Sequence, residues 1–501
     1  MSASAGRTGA DRSEHGRRGP RQRTAAAPSA RRRTGDPART AALDVLREVD
    51  GSDAYANLVL PPLLRERRIR GRDAGFATEL AYGTLRLRGR YDAVLAQCVG
   101  GRSLDEVDPP VLDLLRIGTH QLLGMRVPPH AAVSETVGLA RERVGAGAAQ
   151  FVNAVLRAVG RDDLDSWLTR VGDAADPDGT DQVARLGATE SHPAWVTRAL
   201  REALVGHGRS TDELADLLRS DNVAPRVTLV ARPGLVDADE LLAQAGPGAA
   251  PGRWARTAVT LAGGDPAGLA AVRSGRAGVQ DEGSQLVALA LAAAPVDGPD
   301  ARWLDLCAGP GGKAALLAAL AGERGARLVA NEVQPHRARL VRQALAAAPE
   351  GTVEEVRTGD GRLLGEAEPA AFDRVLLDAP CTGLGALRRR PESRWRRTPA
   401  DLAALTALQR DLLGSALRAV RVGGLVGYVT CSPHLAETRL VVLDSVRAAA
   451  KAGVVAEVLA ARSVLAGIAP GIDLPERDDV QLWPHVHGTD AMHLTLLRRT
   501  A

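Results

Sequence analysis

Aromatic side chains, sulfur and lysine are all scarce in this sequence. Phe, Trp and Tyr make up 3% of its 501 residues against 45% hydrophobic residues overall, so any core must be built from Ala, Leu and Val. That composition is globular and excludes collagen, coiled coil and wholesale disorder. No apolar run reaches the roughly 18 residues a membrane-spanning helix needs. The opening MSASAGRTGADRSEHGRRG has no apolar stretch behind its basic residues. It does not read as a secretory signal, and the cytoplasm is the expected location. The only cysteines are Cys98, Cys307, Cys381 and Cys431. Four are too few for a disulfide scaffold. No two of them form a CxxC pair, so no zinc site and no metal are expected. Of 64 basic residues only Lys313 and Lys451 are lysine, which fits GC-rich codon usage and makes an internal lysine conspicuous.

What is present is unevenly spread. Length alone suggests about two to four domains. Residues 1–40 hold ten Arg against Asp11, Glu14 and Asp36, a net +7 that leaves −3 for the rest of a +4 chain. A basic arm of this kind either contacts nucleic acid or stays solvated. Residues 1–36, rich in Arg, Ala, Gly, Ser and Pro and without periodicity, are expected to be disordered. Residues 37–170 read as an all-helical bundle of about six helices. Ala42, Val45, Leu46 and Val49 open it with helical spacing. Polar breaks at 100–103 and 126–130 separate the later helices. Residues 171–275 read as a polar Asp/Gly-rich linker (171–182) and a connecting subdomain with a helix from 191 and a strand at 225–234.

Residues 276–501 alternate strand and helix, the pattern of a doubly wound parallel sheet. Strands are expected at Trp303–Leu306, Leu328–Asn331, Val353–Val356, Val375–Asp378, Leu425–Thr430 and Met492–Leu497. The first leads into DLCAGPGGK (305–313). Glycines there allow close backbone approach, and the following helix offers free N–H groups. The spacing matches neither a dinucleotide fingerprint nor a P-loop, since Ala314 follows Lys313. A ligand with a carboxylate, a ribose and an adenine fits better. Successive strand ends deliver Asp305, Glu332, Asp360 and Asp378 to one edge of the sheet, where ligands bind in open α/β folds. Glu332 is placed to accept from ribose hydroxyls and Asp360 from an adenine amino group. Any one of these acids alone reads as a surface group or a helix cap. Four in succession is the pattern of S-adenosylmethionine-dependent methyltransferases.

Cys381 follows Asp-Ala-Pro after the fourth strand, and Cys431 lies in YVTCSP (428–433) after the fifth. A lone Cys is usually a buried small hydrophobe. Two at adjacent strand ends read better as reactive thiols facing one pocket. Thiols suit methylation of cytosine carbon 5. A thiolate added to carbon 6 makes carbon 5 enamine-like, and a carboxyl near N3, such as Asp378, steadies the adduct. Spacing does not say which Cys attacks. The run Arg388, Arg389, Arg390, Arg394, Trp395, Arg396 and Arg397 reads either as a surface for phosphates and a stacked base or as a solvated loop.

The motifs DLCAGPGGK, DAPCTGLG (378–385), RRRPESRW (388–395) and YVTCSP resemble the RNA cytosine-5 methyltransferases of the Sun/Fmu/RsmB type. VQDEGSQ (279–285) and HGTDAMHLTLLRR (487–499) match flanking motifs of that family. RTAALDVLREVD (39–50), 72–92, AAVSETVGLAR (131–141) and FVNAVLRAV (151–159) resemble the NusB-like RNA-binding fold. The pairing implies a Rossmann-like methyltransferase domain at 276–501 behind a NusB-like domain at 37–170. It implies S-adenosylmethionine as cofactor and small-subunit (16S) ribosomal RNA as partner, with a monomer sufficing. It also implies that Cys431 is the nucleophile and Cys381 promotes release. Cys307, Ala308, Gly309, Pro310, Gly311, Gly312, Lys313, Glu332, Asp360 and Asp378 would bind the cofactor. Departures from the family pattern fall at Thr382, Glu332, Ala436–Glu437–Thr438 and Ala491–Met492–His493. Transfer RNA as substrate, or a catalytically idle RNA-binding assembly factor, are the competing readings.

Overall fold

A computed structural model describes residues 35–52 and 54–501. All but the last two residues of the segment read as a disordered tail, 1–36, lie outside the described residues. Helices Pro37–Ser52, Ala56–Glu66, Gly71–Arg86, Arg88–Ala96, Pro109–Leu123, Pro129–Arg143, Ala146–Val159 and Leu164–Ala175 form the N-terminal bundle. Its core gathers Leu46, Leu80, Leu95, Leu114, Leu115, Ile117 and Leu156, the apolar stripes that helical periodicity requires. Two of the helices are not apparent in the sequence. Ala56–Glu66 carries Pro61 and Pro62, ordinarily helix breakers, yet holds its place through buried Leu60. Leu164–Ala175 is capped by the Asp163 carboxylate, which accepts from Ser166 N at 2.9 Å, and sends Trp167 and Val171 into the bundle core. That helix occupies the start of the stretch read as linker, and only 176–181 separates it from helix Gln182–Thr189. The Asp176 carboxylate folds those six residues back by accepting from Thr180 N and Asp181 N.

Helices Ala194–Gly206 and Leu214–Asp221 follow, then a small antiparallel sheet of β1 (Thr228–Ala231), β2 (Ala250–Pro251), β3 (Ala258–Thr260) and β4 (Ala277–Val279) in the order β2-β3-β1-β4. Of these only β1 is legible in sequence, because two- and three-residue strands are too short to show alternation.

The C-terminal sheet has eight strands: β5 (Arg302–Asp305), β6 (Arg327–Glu332), β7 (Val353–Thr358), β8 (Phe372–Asp378), β9 (Val420–Thr430), β10 (Ala456–Leu459), β11 (Val480–Gln481) and β12 (His493–Arg499). The order is β10-β12-β9-β8-β5-β6-β7, with β11 paired to β12. Pairs among β5–β9 are parallel, and β12 runs antiparallel to β9. The expected architecture, a helical domain followed by a Rossmann-like sheet, is the one observed. The chain moves outward from β5 to β7 and returns on the other side at β8. The switch point therefore lies between β5 and β8, where such sheets bind ligands. Among the described residues no helix is long and apolar enough to cross a membrane.

Candidate active site

The turn after β5 is locked to its neighbours by backbone and amide bonds. Ala308 N donates to Asn331 O at 2.8 Å, and Asn331 Nδ2 donates to Leu306 O and Gly359 O at 3.0 and 3.1 Å. One amide thus ties the ends of β5, β6 and β7 together. Gly309 and Gly311 are demanded by space. A Cβ on Gly309 would lie 2.2 Å from Glu332 Oε2, and one on Gly311 (φ +111°) would lie 2.6 Å from Ala344 Cβ. Gly312, at the start of helix Gly312–Gly322, faces open space instead.

The four acids are placed differently. Asp305 is fully buried and neither of its oxygens has a hydrogen-bond partner. Burial, and after it the charge of Asp378, pushes its carboxyl up to about 8. Glu332 is buried and accepts from Gly309 N (3.0 Å) and Gln334 N (2.9 Å). Each of its oxygens keeps a further acceptor site. Asp378 accepts from Lys313 Nζ at 2.8 Å. This link between the first helix and the end of β8 was not foreseen from sequence. Asp360 stands apart. It caps helix Gly361–Ala367, and both its oxygens bond to Arg362. A buried carboxyl beside a glycine-rich turn, which a neighbouring cation would ionise, suits a ligand carrying positive charge. S-adenosylmethionine, with its ammonium and sulfonium groups, fits that donor set.

The thiols converge. Asp378 pairs with Val429 in register, and Ala379 N donates to Val429 O at 2.8 Å. Gly385 N then donates to Cys431 O at 2.8 Å. A Cβ on Gly385 would lie 2.8 Å from Cys431 O and 2.3 Å from Ala491 O, so only glycine lets the two turns and the segment before β12 run this close. The result brings Cys381 Sγ to 3.4 Å from Cys431 Sγ. They are not equivalent. The bond from Cys381 lowers the Cys431 thiol against the opposing effect of burial, with Lys313 and Arg390 assisting. The same bond, then burial, raises Cys381 well above an ordinary thiol. Cys307 is raised as well, first by burial and then by Asp305. Cys431 is therefore the thiol of this group that ionises most readily.

Glu437 was missed. Its carboxylate is fully buried and accepts from Thr382 N (2.7 Å), Thr382 Oγ1 (2.5 Å) and Gln409 Nε2 (3.2 Å), while Tyr428 OH donates to its carbonyl at 2.6 Å. Thr382 Oγ1 also meets Ser432 Oγ at 3.1 Å. One side chain thereby holds the turn of Cys381 against the turn of Cys431. The signal in sequence was a single Glu six residues after the Cys, inside a run that otherwise departs from the family.

The arginine run corrects its sequence reading: apart from exposed Arg390 and half-buried Arg397, it is neither a phosphate surface nor a solvated loop. Arg388 and Arg389 bridge the buried carboxylates of Asp281 and Asp490 at 2.5–3.0 Å. Arg394 is fully buried and donates to Ser191 O, Asn222 Oδ1, Arg86 O and Asp221 O. Arg396 donates to Val49 O and Ala54 O, and Glu392 accepts from Ala56 N. The Trp395 indole sits where a Cβ on Gly89 would be, 2.3 Å from it. The segment that follows Cys381 is thus the clamp between the sheet and the helical bundle.

A doubly wound sheet with these turns, acids and paired thiols defines an S-adenosylmethionine-dependent methyltransferase equipped with cysteines. Residues 290–498 match the family model described as 16S rRNA methyltransferase RsmB/F, and residues 36–161 match the NusB family. The chain is 52% identical over 469 residues to "Putative methyltransferase Rv1407" of Mycobacterium tuberculosis, covering 94% of this chain and 98% of that protein. It is 33% identical over 402 residues to "Ribosomal RNA small subunit methyltransferase B" of Pseudomonas putida, covering 79% and 85%. The solved structure of PH0851 shares the fold, with a TM-score of 0.73 at 20% identity over 92% of this chain and 98% of that one. The chain belongs to the RsmB/F family of RNA cytosine-5 methyltransferases, which use S-adenosylmethionine, and carries a NusB domain ahead of the catalytic one.

Proposed function

We propose that the protein methylates carbon 5 of a cytosine in small-subunit (16S) ribosomal RNA, with Cys431 as nucleophile, as a cytoplasmic monomer. The observation that carries the catalytic reading is the pair of sulfurs 3.4 Å apart with only Cys431 favoured to ionise. The substrate reading draws on the NusB domain and on a relative named for small-subunit ribosomal RNA.

The target cytosine must be unpaired or extruded, because its ring faces are unreachable within a helix. Cys431 Sγ adds to carbon 6, and the electron pair of the C5–C6 double bond makes carbon 5 nucleophilic. Asp378, held by Lys313 Nζ at 2.8 Å, is the carboxyl group that would meet the N3 edge and steady the adduct. Bound S-adenosylmethionine supplies an electrophilic methyl group. Its site would comprise the turn Cys307–Lys313 with Glu332 and Asp378, and Asp360 would join it by exchanging Arg362 for the adenine amino group. Loss of the C5 proton then re-forms the double bond and expels Cys431, a step in which Cys381 assists.

Cys431→Ala should abolish methyl transfer. Cys381→Ala should accumulate a covalent protein–RNA adduct that survives denaturing electrophoresis. An inert Cys381→Ala beside a trapping Cys431→Ala reverses the assignment. Bisulfite sequencing of RNA from cells with and without the gene should reveal one cytosine in small-subunit ribosomal RNA. Protection confined to transfer RNA would sink the substrate assignment, and no protected cytosine at all would favour an idle assembly factor.

A further inference from the structure

Behind the turn that carries Cys431, three side chains from distant parts of the chain meet. His207 follows helix Ala194–Gly206, Asp479 precedes β11, and His493 opens β12. One ligand-capable atom from each lies within 4.8 Å of the other two. His207 and His493 are almost wholly buried. Each of the three keeps one buried atom without a hydrogen-bond partner: His207 Nδ1, Asp479 Oδ2 and His493 Nδ1.

The outward atoms explain why the inward ones are bare. His207 Nε2 lies 3.0 Å from Pro433 O, and a carbonyl only accepts, so Nε2 carries a hydrogen and Nδ1 is the atom turned towards Asp479 and His493. His493 Nε2 is engaged with Thr495 Oγ1 at 3.0 Å. Asp479 Oδ1 is held by Arg477 at 2.9 Å. Two ring nitrogens and a carboxylate oxygen facing one another need a proton or a cation between them, and His207 Nδ1 stands 3.5 Å from Asp479 Oδ2. Rings and carboxylate each fixed from behind are also the arrangement that orients metal ligands.

We propose that His207, Asp479 and His493 bind one divalent transition-metal ion of the zinc class. Two imidazole nitrogens and a carboxylate oxygen suit such an ion. The 3.5 Å between His207 Nδ1 and Asp479 Oδ2 already matches a tetrahedral edge. The widest separation must close by roughly 1 Å for metal–ligand bonds of about 2.0–2.2 Å. The ion acts as a structural clamp. His207 holds Pro433, two residues beyond Cys431, and His493 pairs in register with Thr430, the residue before it. It therefore fixes the nucleophile's turn from behind and touches no substrate.

The test uses the full chain, stripped with a chelator and then dialysed against Zn²⁺ alone. Elemental analysis after gel filtration should find about one zinc per chain, and thermal unfolding should shift upward on loading. His493→Leu and Asp479→Asn should each lower retained zinc by more than about tenfold and remove the upward shift. Far-UV circular dichroism confirms that both variants fold. Absence of retained zinc in the unsubstituted chain overturns the proposal. So does zinc kept undiminished by both variants but lost in Cys381→Ser or Cys431→Ser, which would place it on the thiol pair. A doubly protonated His207 ring, seen by nitrogen NMR with zinc present, would mean that a proton fills the gap and would overturn it as well.

Discussion

Cys431 and Cys381 are the same residue type in neighbouring turns, and their surroundings alone set them apart. Because the Cys431 thiol is lowered and those of Cys381 and Cys307 are raised, iodoacetamide near neutral pH should label Cys431 first, as mass spectrometry would show. In Cys381→Ala the donor is lost, and labelling of Cys431 should require higher pH. Asp305 gives a second signature. Its carboxyl stands at about 8 in the folded protein against an ordinary 3.8. The folded, ligand-free protein therefore holds a proton that the unfolded chain releases. Stability should fall as pH rises from about 4 towards 8. A cationic ligand favours the ionised form and expels that proton, so affinity for S-adenosylmethionine should climb with pH up to about 8. Asp305→Asn should flatten that dependence in calorimetric titrations. The motifs exposed the cysteines and the acids, because each marks a strand end. The Lys313–Asp378 pair was hidden, since its partners lie 65 residues apart and meet only once the strands are in register.

At the scale of elements, the two cysteine turns depend on Glu437. Glu437→Ala strips a buried amide and a hydroxyl of their acceptor. It should lower unfolding free energy by about 2–3 kcal/mol. Methyl transfer should drop while affinity for S-adenosylmethionine stays unchanged, because the turn after β5 is anchored separately. Glu437→Gln keeps an acceptor oxygen and should lose less of both. A loss of cofactor affinity equal to the loss of rate would point to general unfolding instead. The parallel strands β5, β6, β8 and β9 were readable because burial on both faces leaves near-continuous apolar runs, whereas the partly exposed edge strand β7 shows only Val353 and Val356. The strands β2, β3, β4, β10 and β11 were not readable. They are two to four residues long, and pairing with neighbours fixes them rather than any pattern of their own.

Across the whole molecule, the arginine run turns two domains into one body. Arg394→Ala would leave carbonyls from three segments without a donor. It should cost about 3 kcal/mol or more. Calorimetry should then resolve separate melting of the bundle and the sheet, where the unsubstituted chain melts as one. The run was misread because clustered Arg signals phosphate in a sequence, whereas the backbone carbonyls that receive it come from residues 49–221, far upstream.

Inward-facing guanidinium groups release no counterions when RNA binds. Whatever ionic-strength dependence the protein shows must come from other cations, such as the exposed Arg65, Arg68, Arg70 and Arg72 on the helical bundle. Replacing Arg68 and Arg70 with Glu should flatten the plot of log affinity against log salt. Removing Arg389 should weaken turnover and leave that slope alone. Arg388, Arg389, Arg394 and Arg396, turned inward, thus separate the glue of the protein's own architecture from the grip on its substrate.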